Sequence, residues 1–210
     1  MPAKAITAFR TAHERAETLF NIHSTGKRGR PKKEREDILR AAVVLEIAAV
    51  DSYFHDKILE RLTPFLKSRK GQGLPGGLVD LLERKGGTRK VLGIMYKPRP
   101  HRHIHTVVKK AQADLTFQKP PKITNALKLI GVTDFWYKVA RKMGRRASKD
   151  SVKERVGQYA SRRDKIAHEG DRKRGGSLNA IRRPYVRDCL NFFQRFIEAA
   201  DAVIDTSTGA

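Results

Sequence analysis

The sequence is poor in cysteine and in acidic residues, and it contains no long apolar run. Its 210 residues include a single cysteine, Cys189, which excludes an internal disulfide and a cysteine-rich zinc site. The longest apolar stretch, residues 41–50, is interrupted by Glu46 and is too short to span a bilayer. The first ten residues lack the apolar segment of a signal peptide. We therefore expect a cytoplasmic protein without a membrane partner, a metal site or a cofactor.

Positive charge dominates the composition. There are 45 lysines and arginines against 22 acidic residues, which gives a formal net charge of +23 at pH 7. This excess is larger than solubility requires and indicates a polyanionic partner. The sequence shows no basic amphipathic helix with an aromatic face, so a membrane surface is not favoured as the polyanion. RNA is the expected partner, and DNA is a second one.

Residues 25–33, TGKRGRPKK, form a basic segment in which glycine and proline break any helix. The core of this segment resembles an AT-hook, which lies extended in the minor groove of A·T-rich DNA. In such a groove the arginines are attracted by an enhanced negative potential. The candidate DNA contacts are Arg28, Arg30, Lys32 and Lys33. The alternative interpretation is a solvated basic linker.

Residues 63–122 form a second basic region. From residue 62 to residue 124 there are 14 lysines and arginines and three acidic residues. Clusters of glycine and proline predict an irregular insertion that contains one short helix at residues 78–84. The segment HRHIHT places His101, His103 and His105 at every second position, so an extended chain would have their three side chains on one side. The candidate nucleic-acid contacts in this region are Arg99, Arg102, Lys109 and Lys110.

Helical periodicity predicts an all-α fold. Apolar residues recur at spacings of three to five over residues 34–62, and Pro64 is expected to end that helix. A later helix is predicted to begin at Ser151, because Glu154 three residues on completes a capping-box pattern. A long C-terminal helix should carry Pro184 near its first turn.

The segment YASRRDKIAHEGDR, residues 159–172, places arginine, histidine and acidic residues near the predicted end of the Ser151 helix. Arginine offers a planar fork of donors to phosphate, and histidine gains or loses a proton near neutral pH. Arg163 emerges on the apolar side of the helix, which is unusual for a solvated arginine. His168 follows five residues later, so the two side chains project about 140° apart in an unbroken helix. Two compatible solutions remain: the helix loosens near Glu169 and Gly170, or a second copy of the chain supplies the other half of the site.

The sequence RRDKIAHEGD is similar to the signature of the HEPN superfamily of ribonucleases, most closely to the RiboL-PSP type. Two further segments support the resemblance. AAVVLEIAAVDSYFHDKI is similar to the first core helix of the family, and LKLIGVTDFW to the segment before its motif helix. The resemblance implies a homodimer in which the two motifs face each other across a cleft. It also implies a role as a toxin or in phage defence, with an antitoxin or another assembly partner.

These observations together predict an HEPN-like helical bundle with an N-terminal arm. Residues 1–33 would hold the first helix and the hook-like linker. The helical domain would occupy residues 34–205, with the basic, Gly/Pro-rich insertion at 63–122. Residues 206–210 would be a disordered tail.

The predicted activity is metal-independent cleavage of RNA. The 2′-hydroxyl would attack the adjacent phosphate, His168 would transfer the proton, and Arg163 would stabilise charge on the phosphorane. The products would be a 2′,3′-cyclic phosphate and a 5′-hydroxyl. Asp164 would orient its neighbours, and the supporting residues are Asp51, Arg162 and Glu169. Asp51 either lies at the boundary of the apolar face and pairs with a basic side chain, or points toward the motif and orients Arg163 or His168. Arg162 competes with Arg163 for the role of the arginine, and Arg163 is preferred because the polar Asp164 follows it, as in the family pattern.

Two alternatives of another class stay open. The chain could be a non-catalytic nucleic-acid-binding protein that uses the hook-like linker and the basic insertion, with the bundle as a dimerising scaffold. It could also be a component that binds RNA only within a larger assembly. An arginine and a histidine five residues apart occur often by chance in so basic a chain.

Overall fold

The structure is a computed structural model that describes residues 4–23, 33–69 and 72–209, and its regular elements are all helices. The helices are α1 (Ala5–Ile22), α2 (Lys33–Ser68), α3 (Gly76–Met95), α4 (Pro100–Gln112), α5 (Pro120–Leu127), α6 (Phe135–Met143), α7 (Lys149–Glu169) and α8 (Arg183–Ser207). A 3-10 helix, Lys128–Ile130, follows α5. The predicted all-α class is confirmed. No helix in the described ranges is long and apolar enough to cross a membrane.

Helix α2 is the centre of the bundle. It has 36 residues, which corresponds to a length of about 54 Å at 1.5 Å per residue. It packs against α1, α4, α5, α7 and α8. Its buried apolar residues recur every three or four positions: Leu39, Val43, Ile47, Val50, Phe54, Ile58 and Leu62. One hydrophobic core therefore forms around this helix.

The prediction that Pro64 ends α2 is wrong, because the helix continues to Ser68. Proline removes one backbone hydrogen bond from the preceding turn. The turn is kept by packing, since Leu62 and Phe65 are both buried. The Phe65 ring lies against Gly131, whose left-handed conformation (φ 69°) leads the chain out of the 3-10 helix.

Helix α1, predicted as an arm, is a member of the bundle and packs on α2 and α8. Phe9 and Phe20 are buried, and the His13 imidazole lies 2.9 Å from the Glu46 carboxylate. Burial lowers the pKa of His13, but the hydrogen bond and charge of Glu46 outweigh it and leave the pKa raised. Burial raises the pKa of Glu46, and the hydrogen bond from His13 opposes that change. An apolar face and one buried polar pair thus hold α1 on α2.

The basic region at residues 63–122 is helical, which corrects the prediction of an irregular insertion. It contains the end of α2, all of α3 and α4, and the start of α5. Two of its breakers mark a helix start and a bend: Pro100 begins α4, and α3 bends at Gly87, where φ is 70°. Leu78 and Val108 are fully buried and belong to the common core.

The predicted start of α7 and the predicted end of α8 also need correction. Helix α7 is capped by Ser148, whose hydroxyl accepts from the Ser151 backbone N–H at 3.1 Å, so the helix begins before Ser151. Helix α8 continues to Ser207, and Thr208 is buried and accepts from Arg61 Nε at 2.8 Å. Residues 206–209 are therefore not a disordered tail, because the end of α8 packs on α2. Residue 210 lies outside the described residues.

Gly131→Ala tests the contact between the 3-10 turn and α2. A Cβ atom at this position would lie 2.7 Å from Phe65 Cζ, and alanine rarely adopts the left-handed conformation. We expect the free energy of unfolding to fall by about 2–4 kcal/mol in urea denaturation. Gly157→Ala is the control, because nothing lies within 4 Å of its added Cβ in the middle of α7. That variant should gain about 0.5–1 kcal/mol, and equal effects of the two changes would contradict this account.

Candidate functional site

Arg163, Asp164 and His168 lie in the last two turns of α7. The apolar side of this helix buries Val152, Val156, Tyr159 and Ala160 against the core. Arg163 continues this side, with 22% of its side chain exposed. The same amphipathic pattern that docks the helix thus brings a guanidinium to the edge of the core.

Arg162 and Arg163 have different environments. Arg162 Nη2 donates to the Asp171 carboxylate at 2.8 Å and to the Ala180 carbonyl at 3.2 Å. Arg163 Nη1 approaches Asp164 Oδ1 at 3.4 Å, and its buried Nε has no hydrogen-bond partner in the described part of the chain. Arg162 therefore fixes the loop after α7, whereas Arg163 has a single, long contact with a neighbouring carboxylate.

Asp171 follows the end of α7 and fixes the loop after that helix. The residue is fully buried and left-handed (φ 57°), and it follows Gly170, which is also left-handed. Its carboxylate accepts from Arg40 Nε at 2.8 Å and from Asn179 Nδ2 at 3.2 Å, in addition to Arg162. The Asn179 backbone N–H donates to the Asp171 carbonyl at 2.8 Å. The position of the helix end, and of His168 on it, depends on this buried carboxylate.

Asp164 is held by two cations. Lys119 Nζ lies 2.8 Å from its Oδ2, and Arg163 approaches its Oδ1. Burial raises the pKa of Asp164, but Lys119 and Arg163 outweigh it and leave the pKa lowered. Asp164 is therefore an ionised acceptor at neutral pH, which fits its predicted role of orienting Arg163. Lys119 was missed by sequence reasoning, because its pairing with α7 depends on the tertiary fold.

His168 is exposed, and its ring has no hydrogen bond to any residue that the structure describes. Helix α7 is continuous to Glu169, so the left-handed turn at Gly170 comes too late to rotate His168 toward Arg163. Helical geometry separates the two positions by about 140° around the axis and about 7.5 Å along it. One chain therefore does not bring both side chains to a common point.

Asp51 has other partners than those predicted. Its Oδ1 accepts from the Phe117 backbone N–H at 2.5 Å, and its Oδ2 accepts from Gln118 Nε2 at 3.1 Å. The expectation that Asp51 orients Arg163 or His168 is wrong, because α2 directs it to residues 117–118. Asp51 instead fixes the segment that carries Lys119 to Asp164. Glu169, the other predicted acidic supporter, is the exposed last residue of α7.

The predicted nucleic-acid contacts fall into two groups. Arg28, Arg30 and Lys32 lie outside the described residues, and Lys33 is the first residue of α2. The other four, Arg99, Arg102, Lys109 and Lys110, are exposed on α4 and on the turn before it. Tyr96, in that same turn, is 90% exposed. Sequence reasoning missed it, although an aromatic residue within a basic turn, YKPRP, is a pattern that favours base stacking.

The three alternating histidines of HRHIHT lie on α4 rather than on an extended segment. Residues two positions apart lie on different sides of a helix, whereas residues four positions apart share a face. His101 and His105 therefore lie on one face, and His103 lies on another. Over the described ranges, no group of three His, Cys, Asp or Glu side chains is arranged to hold a metal ion.

No protein-family model, curated protein or solved structure matches this chain. The last two turns of α7 combine a partly buried guanidinium whose Nε has no hydrogen-bond partner among the described residues, an ionised carboxylate beside it and an exposed imidazole. These groups can bind a phosphate and transfer a proton.

Alanine substitutions distinguish the structural arginine from the free one. Arg162→Ala removes one hydrogen bond to the buried Asp171 carboxylate and one to the Ala180 carbonyl. It should lower the free energy of unfolding by about 1.5–3 kcal/mol. Arg163→Ala should change it by less than about 1 kcal/mol, because Arg163 has only the long contact with Asp164. Urea denaturation of both variants measures the difference. A larger loss for Arg163→Ala would show that Arg163 is structural.

Proposed function

We propose that this chain is a metal-independent endoribonuclease in which Arg163 and His168 act on the scissile phosphate. The observation that carries the proposal is the contrast between Arg162, which donates to the buried Asp171 carboxylate and to the Ala180 carbonyl, and Arg163, whose one contact is a 3.4 Å approach to Asp164. An arginine with donors to spare at the edge of a core, in a chain of net charge +23, fits an anionic substrate.

Arg163 supplies the electrostatic part of the reaction. Its planar guanidinium donates to two oxygens of a phosphate, and its partly buried position strengthens these charge-assisted hydrogen bonds. Charge grows on those oxygens as the pentacoordinate phosphorane forms, so the bonds are stronger in the transition state than in the ground state. Asp164, held by Lys119, keeps the side chain in place.

His168 supplies the proton transfer. Its exposed imidazole is open to the substrate. The His168 imidazole removes the proton from the 2′-hydroxyl as the 2′-oxygen forms a bond to phosphorus. The same imidazole then returns a proton to the 5′-oxygen as the bond from phosphorus to that oxygen breaks. The nucleophile belongs to RNA, so no serine or cysteine of the protein is needed. DNA has no 2′-hydroxyl and is bound without being cut.

A second copy of the chain completes the site. Arg163 and His168 of one copy lie on different sides of α7, so the His168 imidazole of the partner faces Arg163. An apolar groove of about 600 Å³ lies beside the end of α7 and includes Ile166. The α2 residues in this groove have the spacing of a helix-docking face: Ala41, Val44, Leu45 and Ala48. Within the part of the chain that the structure describes, no element covers this face, which supports a homodimer of the kind that the HEPN resemblance implies.

The resemblance extends the proposal to biological context. Dimeric ribonucleases of the HEPN type act as toxins or in phage defence, and such an enzyme needs an inhibitor in its own cell. An acidic antitoxin or assembly partner suits a chain of net charge +23.

Cleavage of RNA in EDTA tests the activity. The wild type should leave 2′,3′-cyclic phosphate ends, while Arg163→Ala and His168→Ala should each lose about 100-fold or more in rate. Lys165→Ala is the matched control, because it removes an exposed cation from the same helix and should cleave like the wild type. RNA with deoxyribose at the scissile nucleotide should not be cut.

Two outcomes would contradict the nuclease. Loss of cleavage in EDTA would show that a metal is required, and cleavage at the deoxyribose would show another nucleophile. Binding of RNA by all variants without any cleavage would instead identify a non-catalytic binding protein. Residues 25–33 would then be the segment to test for binding, with DNA as its ligand.

A further inference from the structure

A cavity of about 510 Å³ lies between α3, the end of α4, α5 and the 3-10 helix. This volume is within the range of small-molecule sites. Gly77 allows α3 to approach the 3-10 helix here, since a Cβ atom at Gly77 would lie 3.1 Å from Lys128 Cβ. The function proposed above does not use this cavity.

The floor of the cavity is apolar and includes an aromatic side chain. Leu81, Phe117 and Leu129 contribute to it, and each of them is buried. The Phe117 ring is fixed from behind by His55, with 4.3 Å between the ring centroids, and from its backbone by Asp51. A rigid apolar floor of this kind suits a flat, largely apolar ligand such as a nucleobase.

The rim of the cavity is cationic. It carries Arg84, Lys85, Lys122 and Lys128, against one carboxylate, that of Asp80. None of the four cations forms an ion pair with a carboxylate of the described residues, and all four are exposed. Four unpaired cations around one opening attract an anion, and phosphate is the anion that accompanies a nucleobase.

The cavity is joined to the motif by one short segment. Phe117 lines the cavity, Gln118 binds Asp51, and Lys119 binds Asp164. Two residues of extended chain span at most about 7 Å, so the two sites are close enough for one strand of RNA to reach both.

From this arrangement we infer that the cavity binds one unpaired nucleotide of the RNA substrate, with its base on the apolar floor and its phosphate against Lys122 and Lys128. The inference rests on the proposed function and adds a substrate class to it: single-stranded RNA, in which a base is free to leave its neighbours. A base in a duplex is paired and stacked, so it cannot enter the cavity.

Binding measured apart from cleavage tests this inference. Lys122→Ala/Lys128→Ala is made in the His168→Ala background, and fluorescence anisotropy reports binding of a labelled single-stranded RNA of about 12 nucleotides. The affinity should fall about tenfold, and the dependence of log K on log salt should fall by about 0.7 per lost phosphate contact. A duplex RNA of the same length should lose less than about threefold, because it contacts the rim only through its backbone.

Lys142→Ala/Lys149→Ala is the matched control, since both lysines are exposed, form no ion pair within the described ranges and lie away from the cavity. It should weaken binding of single strands by less than about threefold. Equal losses for single and double strands, or equal losses for the two lysine pairs, would overturn the cavity as a nucleotide site. Displacement of the RNA by adenosine 5′-monophosphate at micromolar concentration would instead show that a free nucleotide is the occupant.

Failure of this inference and failure of the nuclease are distinguishable. Cleavage by the wild type with no selective effect of Lys122 and Lys128 would reject the cavity alone. A selective effect on single strands without cleavage by the wild type would reject the nuclease alone.

Discussion

The buried carboxylate of Asp171 is the interaction on which the candidate site depends. It is fully buried, and two guanidiniums, those of Arg40 and Arg162, donate to the same oxygen at 2.8 Å. A buried charge is tolerated only when it is paired and hydrogen-bonded, so α2, α7 and the loop after α7 must meet at this point. The meeting point fixes where α7 ends and therefore where Arg163 and His168 lie.

A second chain of contacts links the basic region to the motif. Asp51 on α2 holds the segment after α4, and that segment delivers Lys119 to Asp164. Asp164 in turn is the neighbour of Arg163. The basic region is therefore part of the common core and contributes directly to the site, rather than being a separate appendage. Asp51 is therefore connected to Arg163 through residues 117–118, Lys119 and Asp164.

Helical periodicity was sufficient to predict the all-α class. It failed where packing outweighs local preference. Pro64 lies inside α2 because its neighbours are buried on both sides. The polar residue after Arg163 distinguishes it from Arg162 in the sequence, whereas the contacts of Arg162 with Asp171 and Ala180 depend on the loop after α7. The contacts of Asp51 lie 66 residues away in the chain, so no local pattern reveals them.

The composite site is the central claim, and a mixture of two inactive variants tests it most directly. Arg163→Ala and His168→Ala are co-expressed with different tags, and the doubly tagged protein is assayed for RNA cleavage in EDTA. Each mixed dimer holds one intact Arg163 facing one intact His168, so about half of the wild-type rate per dimer should return. A mixed dimer as inactive as either parent, while the wild type cleaves, would contradict a site shared between two copies.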